Sequence, residues 1–63
     1  MNQETLARLY RIQTQIENAE AALYHLDTDS SDTNYHLTQA YLSLKASIAS
    51  MQQAQRAYQK LQD

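Results

Sequence analysis

The sequence contains no glycine and no proline in 63 residues. Glycine supplies the positive backbone φ that many tight turns need, and proline breaks helices, so a chain without either lacks the usual turn and breaker residues. Alanine, glutamine and leucine are abundant, and all three favour helix. The sequence therefore predicts an all-α chain with very few turns.

A chain of this length forms at most one small domain, and its apolar burial only narrowly offsets the entropy of ordering it. The sequence has no cysteine and only two histidines, which excludes disulfides and the usual Cys/His zinc sites. Oligomerisation and regular helix packing remain as sources of stability.

One segment, residues 27–34, is poor in apolar side chains. Its Asp, Ser and Asn side chains bond to nearby backbone and so favour a turn over continued helix. Ser30, Ser31 or Asp32 is expected to cap the helix that follows. Asp29 and Asp32 also suit the positive end of that helix dipole.

We predict one antiparallel helical hairpin over residues 1–63, with helix 1 over about 3–27, a polar joint over 28–33 and helix 2 over about 34–61. In each arm, apolar residues alternate at spacings of three and four, the period of a left-handed coiled coil. The predicted core seam comprises Leu9, Ile12, Ile16, Leu23 and Leu26 in the first arm, and Leu37, Leu44, Ile48, Met51, Tyr58 and Leu61 in the second. Small residues alternate with these large ones along the seam, namely Ala19, Ala40, Ser47 and Ala54, a pattern that lets helices approach closely.

A second set of apolar residues falls beside or outside this seam. The predicted outer interface consists of Leu6, Tyr10, Tyr24, Tyr35, Tyr41 and Leu42. Tyrosine suits contact surfaces because its ring buries area while its hydroxyl stays hydrogen-bonded. Two hairpins stacked face to face would bury such surplus apolar surface in a four-helix bundle. A homodimer is therefore expected, with a different protein partner as the alternative.

Charge is distributed unevenly along the predicted hairpin. Four basic residues gather at the open end, Arg8, Arg11, Arg56 and Lys60, and three acidic residues gather at the joint, Asp27, Asp29 and Asp32. Such a bipolar hairpin favours an antiparallel dimer, although exposed pairs contribute only ~0–1 kcal/mol each and are screened by salt.

Metal and cofactor sites are not expected. A calcium loop counted from Asp27 requires Gly at its sixth position and Glu at its twelfth, which here are Asp32 and Thr38. His25 and His36 flank the joint, but a closed metal site needs about four ligands in fixed geometry, so they are expected to be ordinary surface histidines.

Catalysis is not expected either. The chain lacks cysteine and a glycine-bounded serine elbow, and a two-helix hairpin leaves little room for a cleft of the ~300 Å³ or more that small-molecule sites occupy. The sequence therefore predicts a protein that is not an enzyme and takes no small-molecule substrate.

The sequence also favours a cytoplasmic, membrane-free protein. Residues 1–4 show no basic region leading into an apolar run, and no apolar stretch approaches the roughly 20 residues of a membrane span. The formal net charge of −2 argues against nucleic acid as a default partner.

These features predict a small protein-interaction module, an adaptor or regulator of bacterial or phage type that contacts an amphipathic helix of its target. In size and layout, and over residues 35–48, the chain resembles the needle chaperones of type III secretion, which implies a co-chaperone that masks a helical secreted subunit. In hairpin layout and length it resembles the Rop family, which implies an RNA-binding dimer. Its basic residues form only one small cluster, whereas RNA binding requires several cations along the backbone. Assembly into filaments is a further alternative that would need open, heterologous contacts.

Overall fold

A computed structural model describes residues 2–62 as two α-helices, α1 (Asn2–Tyr24) and α2 (Ser31–Gln62). The all-α prediction is confirmed for this part of the chain, in which no strand occurs. Met1 and Asp63, the ends of the predicted domain, lie outside the described residues. At 1.5 Å per residue, 32 residues of α2 extend about 48 Å, which accounts for the long axis of a hairpin measuring 50 × 15 × 11 Å.

The two helices pack antiparallel. Gln13 contacts Gln55, Glu20 contacts Lys45 and Tyr24 contacts Tyr41. As the residue number rises along α1, the number of its partner on α2 falls, which is the pattern of antiparallel helices. This pairing confirms the predicted two-helix hairpin.

The connection between the helices lies about three residues earlier than predicted. Helix α1 ends at Tyr24, where the amide of Leu26 donates to the carbonyl of Leu23 at 3.1 Å and tightens the last turn. Helix α2 begins at Ser31 because the hydroxyl of Ser30 accepts from the amide of Thr33 at 3.1 Å, as an N-cap does. Ser30 is therefore the cap among the three candidates.

Thr28 and Asn34 close the joint without glycine. The side-chain oxygen of Asn34 accepts from the amide of Thr28 at 3.0 Å, and its side-chain nitrogen donates to the carbonyl of Thr28 at 2.9 Å. The hydroxyl oxygen of Thr28 accepts from the amide of Ser30 at 3.1 Å. The same hydroxyl can donate its one proton to either of two acceptors within reach, the Asn34 side-chain oxygen and the Ser30 carbonyl. No described residue adopts a positive φ, so these side-chain bonds do what a glycine turn does elsewhere.

The helices meet along a seam that differs by one register from the prediction. The seam positions, which are partly or fully buried, are Leu6, Leu9, Gln13, Ile16, Glu20 and Leu23 on α1, and Asn34, Leu37, Tyr41, Leu44, Ile48, Met51, Gln55 and Tyr58 on α2. Of the large residues in the predicted seam, three lie outside it: Ile12, Leu26 and Leu61 are 41, 52 and 82% exposed. The small residues predicted to alternate with them are exposed as well, namely Ala19, Ala40, Ser47 and Ala54. Conversely, Leu6 and Tyr41, assigned to the outer interface, lie within the seam.

The physical reason for this difference is that the seam is partly polar. Residues such as Leu9, Ile16 and Leu23 belong to both possible three–four stripes, and apolarity alone selects the stripe through Ile12. The structure uses the other stripe, in which polar side chains bond across the helices. Among the described residues no apolar side chain is buried, and Gln55, 5% exposed, is the buried polar one.

Candidate functional site

The seam divides the hairpin surface into two unlike faces. Seam residues occur in pairs three apart, such as Gln13 and Ile16. The residue directly after each pair lies on one side of the seam and the residue directly before it lies on the other, since successive residues of a helix are 100° apart. The polar face is defined by Tyr10, Glu17, Tyr24, Thr38, Lys45, Gln52 and Gln59. The apolar face is defined by Ile12, Ala19, Leu26, Ala40, Ser47, Ala54 and Leu61.

On the polar face, Lys45 links the two helices. Its Nζ lies 3.0 Å from Glu20 Oε2 and 5.4 Å from the centroid of the Tyr41 ring. The ring of Tyr41 in turn lies 5.6 Å from that of Tyr24. The hydrogen bond to Glu20, with a further contribution from Tyr41, raises the pKa of Lys45 above its ordinary value. These contacts within the chain join the two helices across the polar face.

A hydrogen bond near the open end also joins the helices. The side-chain nitrogen of Gln55 donates to Gln13 Oε1 at 2.7 Å and lies 3.4 Å from the carbonyl of Leu9. The side-chain nitrogen of Gln13 donates to Glu17 at 2.9 Å. The amide groups in the seam are thus paired, and no described side-chain polar atom that is buried lacks a partner.

The apolar face has no such partners within the hairpin. Ile16, Ser47, Met51 and Ala54 line a shallow groove of about 450 Å³ there, together with Ala46 and Ser50. Small side chains line this groove in the middle of α2, whereas the larger Leu26 and Leu61 lie farther along the same face in either direction. Small residues with a seven-residue spacing allow another helix to approach closely.

A second cleft, of about 300 Å³, lies at the joint and is larger than a hairpin was expected to form. Leu23, Leu26, Leu37 and Tyr41 supply apolar lining. Asn34 also lines it, but its side-chain oxygen and nitrogen already bond to Thr28. Tyr24, Asp27 and Thr38 line it as well, so the cleft is an open hollow with a mixed apolar and polar lining.

The predicted outer-interface residues do not form one surface. Tyr10, Tyr24, Tyr35 and Leu42 are exposed, as expected. Tyr24 contacts Tyr41 near the joint, whereas Tyr10 lies towards the other end of the hairpin. Tyr35 contacts the ring of His36 at 5.3 Å between centroids. The structure thus separates these tyrosines among different parts of the surface.

The predicted charge separation follows from the antiparallel packing. Arg8 and Arg11 lie in the first half of α1 and Arg56 and Lys60 in the last part of α2, so they share the open end. Arg8 lies 3.6 Å from Glu4 on the preceding turn. The acidic residues of the joint lie towards the opposite end of the 50 Å molecule.

The histidines beside the joint contact neighbouring side chains. The ring of His25 lies 5.3 Å from that of Tyr24, and His36 Nε2 lies 3.8 Å from Asp32. Within residues 2–62 no three His, Asp or Glu side chains come together as metal ligands would. Neither helix, over the part described, combines the length and apolarity needed to cross a bilayer.

No known protein family, curated protein or solved structure matches this chain. Its class is therefore defined by the fold alone, an antiparallel helical hairpin with one polar and one apolar face. Sequence reasoning missed the cross-helix residues Glu20, Lys45 and the Gln13–Gln55 pair. Opposite charges on facing arms are the signal that could have found Glu20 and Lys45, once the position of the turn is known.

Proposed function

We propose that this protein is a non-enzymatic interaction module that works through helix–helix contacts made by its apolar face. The observation that carries the proposal is that no described apolar side chain is fully buried in the hairpin, although an apolar stripe runs along one side of it. A hairpin in this condition gains stability when another helical surface covers the stripe.

The exposed area supports this proposal quantitatively. A folded monomer of 7.3 kDa ordinarily exposes about 4,200 Å², whereas this hairpin exposes 4917 Å². The surplus is roughly 700 Å², close to the ~800 Å² that each partner buries in a standard protein–protein interface. The hairpin thus has about one interface of excess surface.

Self-association into a four-helix bundle is the form of this function that we propose. Two hairpins stacked on their apolar faces would enclose the seam residues Ile16 and Met51 in a shared core. The groove with small side chains on its floor supplies the room for a second pair of helices. The polar face, with Lys45 and the exposed Tyr24, would remain available for target proteins.

Solution mass and helical content, measured together over a concentration series, test the proposal. We expect mass and helicity to rise in parallel as monomer converts to dimer, because the helices gain stability when their apolar faces are covered. A fully helical monomer that persists at millimolar concentration would contradict self-association. A poorly folded monomer that gains helix only with another helical protein would replace the homodimer with a hetero-complex, as a co-chaperone requires.

A further inference from the structure

We infer that the apolar face binds a second copy of this chain in one orientation, with the joint of each hairpin beside the open end of its partner. This inference rests on the proposed function and adds to it the arrangement of the dimer. Charge separation, the position of the small residues and the surplus area each contribute to it.

Charge complementarity selects the orientation. Four basic residues lie at the open end and three acidic ones at the joint, towards opposite ends of the 50 Å hairpin. If joint met joint, Asp27, Asp29 and Asp32 would face the same residues of the other copy and repel them. The reversed orientation places each acidic end beside a basic end, which lowers the electrostatic free energy of the dimer at both ends.

The small residues of α2 suit a two-fold axis at its centre. Ser47 lies near the middle of α2 (Ser31–Gln62), and Ala40 and Ala54 lie seven residues to either side. In the reversed orientation, a two-fold axis at Ser47 sets Ala40 beside Ala54 of the partner subunit. The two α2 helices therefore meet through small side chains and can approach closely along the centre of the bundle.

The large side chains then occupy the spaces near the ends. Leu61 lies seven residues beyond Ala54 and is 82% exposed in the single hairpin. Leu26 lies in the joint, two residues beyond α1, and is 52% exposed. Both would be covered by the ends of the second copy. The 50 × 15 Å outline of the hairpin gives a face of roughly 750 Å², sufficient for a standard interface.

Distances between spin labels distinguish the possible arrangements, and a chain without cysteine can be labelled at single introduced sites. Ser31→Cys places one label at the exposed start of α2. We expect a label-to-label distance close to the 50 Å length of the hairpin. A distance of roughly 10–20 Å, as for neighbouring helices with flexible labels, would mean joint against joint and overturn the inferred orientation.

A label at Ala49, exposed and near the middle of α2, serves as the control. It gives a short distance in either orientation, so it reports dimer formation independently of the arrangement. If Ala49→Cys gives no dipolar signal, the dimer itself is absent and the proposed self-association fails. If Ala49 gives a signal while Ser31 labels are close together, only the orientation fails.

A matched pair of substitutions tests which face is covered. Ala54→Glu puts a carboxylate on the apolar face, and Gln52→Glu puts the same charge two residues away on the polar face; both side chains are exposed in the single hairpin. We expect Ala54→Glu to raise the dimer dissociation constant at least tenfold, because a charge would enter the apolar interface. Gln52→Glu should change it less than about twofold. Equal effects of the two substitutions would overturn the assignment of the face.

Discussion

The most buried of the residues whose side chains the structure describes is a glutamine. Gln55 is 5% exposed and donates to Gln13 across the seam, at a position where packed helices usually carry an apolar side chain. A buried amide is tolerated when it is hydrogen-bonded, because the bond offsets the free energy of removing the amide from water. Without a partner, that desolvation free energy would remain uncompensated. The pair also fixes the register, since a slip of one turn would leave both amides without partners.

Replacing Gln55 with alanine should lower the free energy of unfolding by about 1–2 kcal/mol, through the lost hydrogen bond and side-chain packing. Urea unfolding followed by circular dichroism, at one chain concentration, measures this. Gln52→Ala is the control: its side chain is exposed, and we expect a change within about 0.5 kcal/mol. Equal losses for the two variants would mean that the Gln13–Gln55 bond contributes nothing.

The double variant Gln13→Leu/Gln55→Leu should behave differently from Gln55→Ala. Replacing both partners with apolar side chains leaves no unpaired group, so stability should be retained or should increase. Specificity should decrease, since no polar pair then opposes a shifted register or a larger oligomer. Light scattering should detect a mixture of masses where the parent gives one, and a single dimer mass would contradict the specificity argument.

Asn34 is the corresponding residue at the joint. Asn34→Ala removes one acceptor and one donor for Thr28, and we expect a loss of about 1–2 kcal/mol in unfolding free energy. Thr33→Ala, one residue earlier and exposed, should change stability by less than about 0.5 kcal/mol. Thermal unfolding of the two variants side by side measures the difference, and a stable Asn34→Ala would mean that the joint holds without its side-chain bonds.

At the scale of the helices, the sequence predicted type, number and direction but not rotation. The absence of glycine and proline, together with residues 27–34, was enough for two helices and one turn, because no other segment resists helix formation. The end of α1 at Tyr24 was not predicted, since the bonds of Thr28 and Asn34 that close the joint connect residues six apart.

The rotation of each helix about its axis could not be read from apolarity. Two stripes share Leu9, Ile16 and Leu23, one continuing through Ile12 and the other through Gln13. The first is more apolar, and the prediction placed it between the helices. The structure places the residues that belong to the first stripe alone, Ile12, Ala19 and Leu26, on the apolar face, because Gln13 and Glu20 each find a partner on α2. Which stripe faces the other helix depends on side-chain contacts between α1 and α2, and these contacts form only when the two helices pack together.

The Lys45–Glu20 ion pair gives a pH prediction that belongs to the helix pairing. Because the folded-state pKa of Lys45 is raised, the pair stabilises the hairpin fully below the unfolded value of about 10.4 and loses this effect as pH rises through the folded value. The stability difference between the parent and Lys45→Met should therefore be constant from about pH 7 to pH 10 and shrink above it. Denaturant midpoints across this range measure it.

Gln52→Met is the control for this titration, since it places the same apolar side chain on the polar face without removing a charge. Its difference from the parent should not vary between pH 7 and pH 12. A Lys45→Met difference that persists unchanged at high pH would show that the lysine acts through packing of its stem on Tyr41, 5.4 Å from its Nζ, and not through its charge.

At the scale of the whole molecule, the hairpin is a rod with unlike ends and unlike sides. The sides determine which surface is covered, through the free energy of burying apolar area, and the ends determine the direction of the partner, through charge. These contributions differ in size and in response to salt. Apolar burial is little affected by moderate salt. Attraction between charges at the exposed ends is screened by salt, and in physiological solution it is largely lost beyond ~8 Å.

Changing the charge of the open end separates the two contributions. In Arg56→Glu/Lys60→Glu, the two glutamates cancel Arg8 and Arg11, so the open end of each hairpin would no longer attract the partner's acidic joint in the inferred dimer. We expect the dissociation constant to rise up to about tenfold at low salt, since each exposed pair contributes ~0–1 kcal/mol, and to approach the parent value in high salt. Adding Asp27→Lys and Asp29→Lys sets lysines against the introduced glutamates, and this combined variant should regain affinity relative to Arg56→Glu/Lys60→Glu. Sedimentation equilibrium at two salt concentrations gives all the constants. A dimer whose affinity ignores both sets of substitutions would mean that charge does not orient the hairpins, while recovery in the combined variant would require each joint to lie beside an open end.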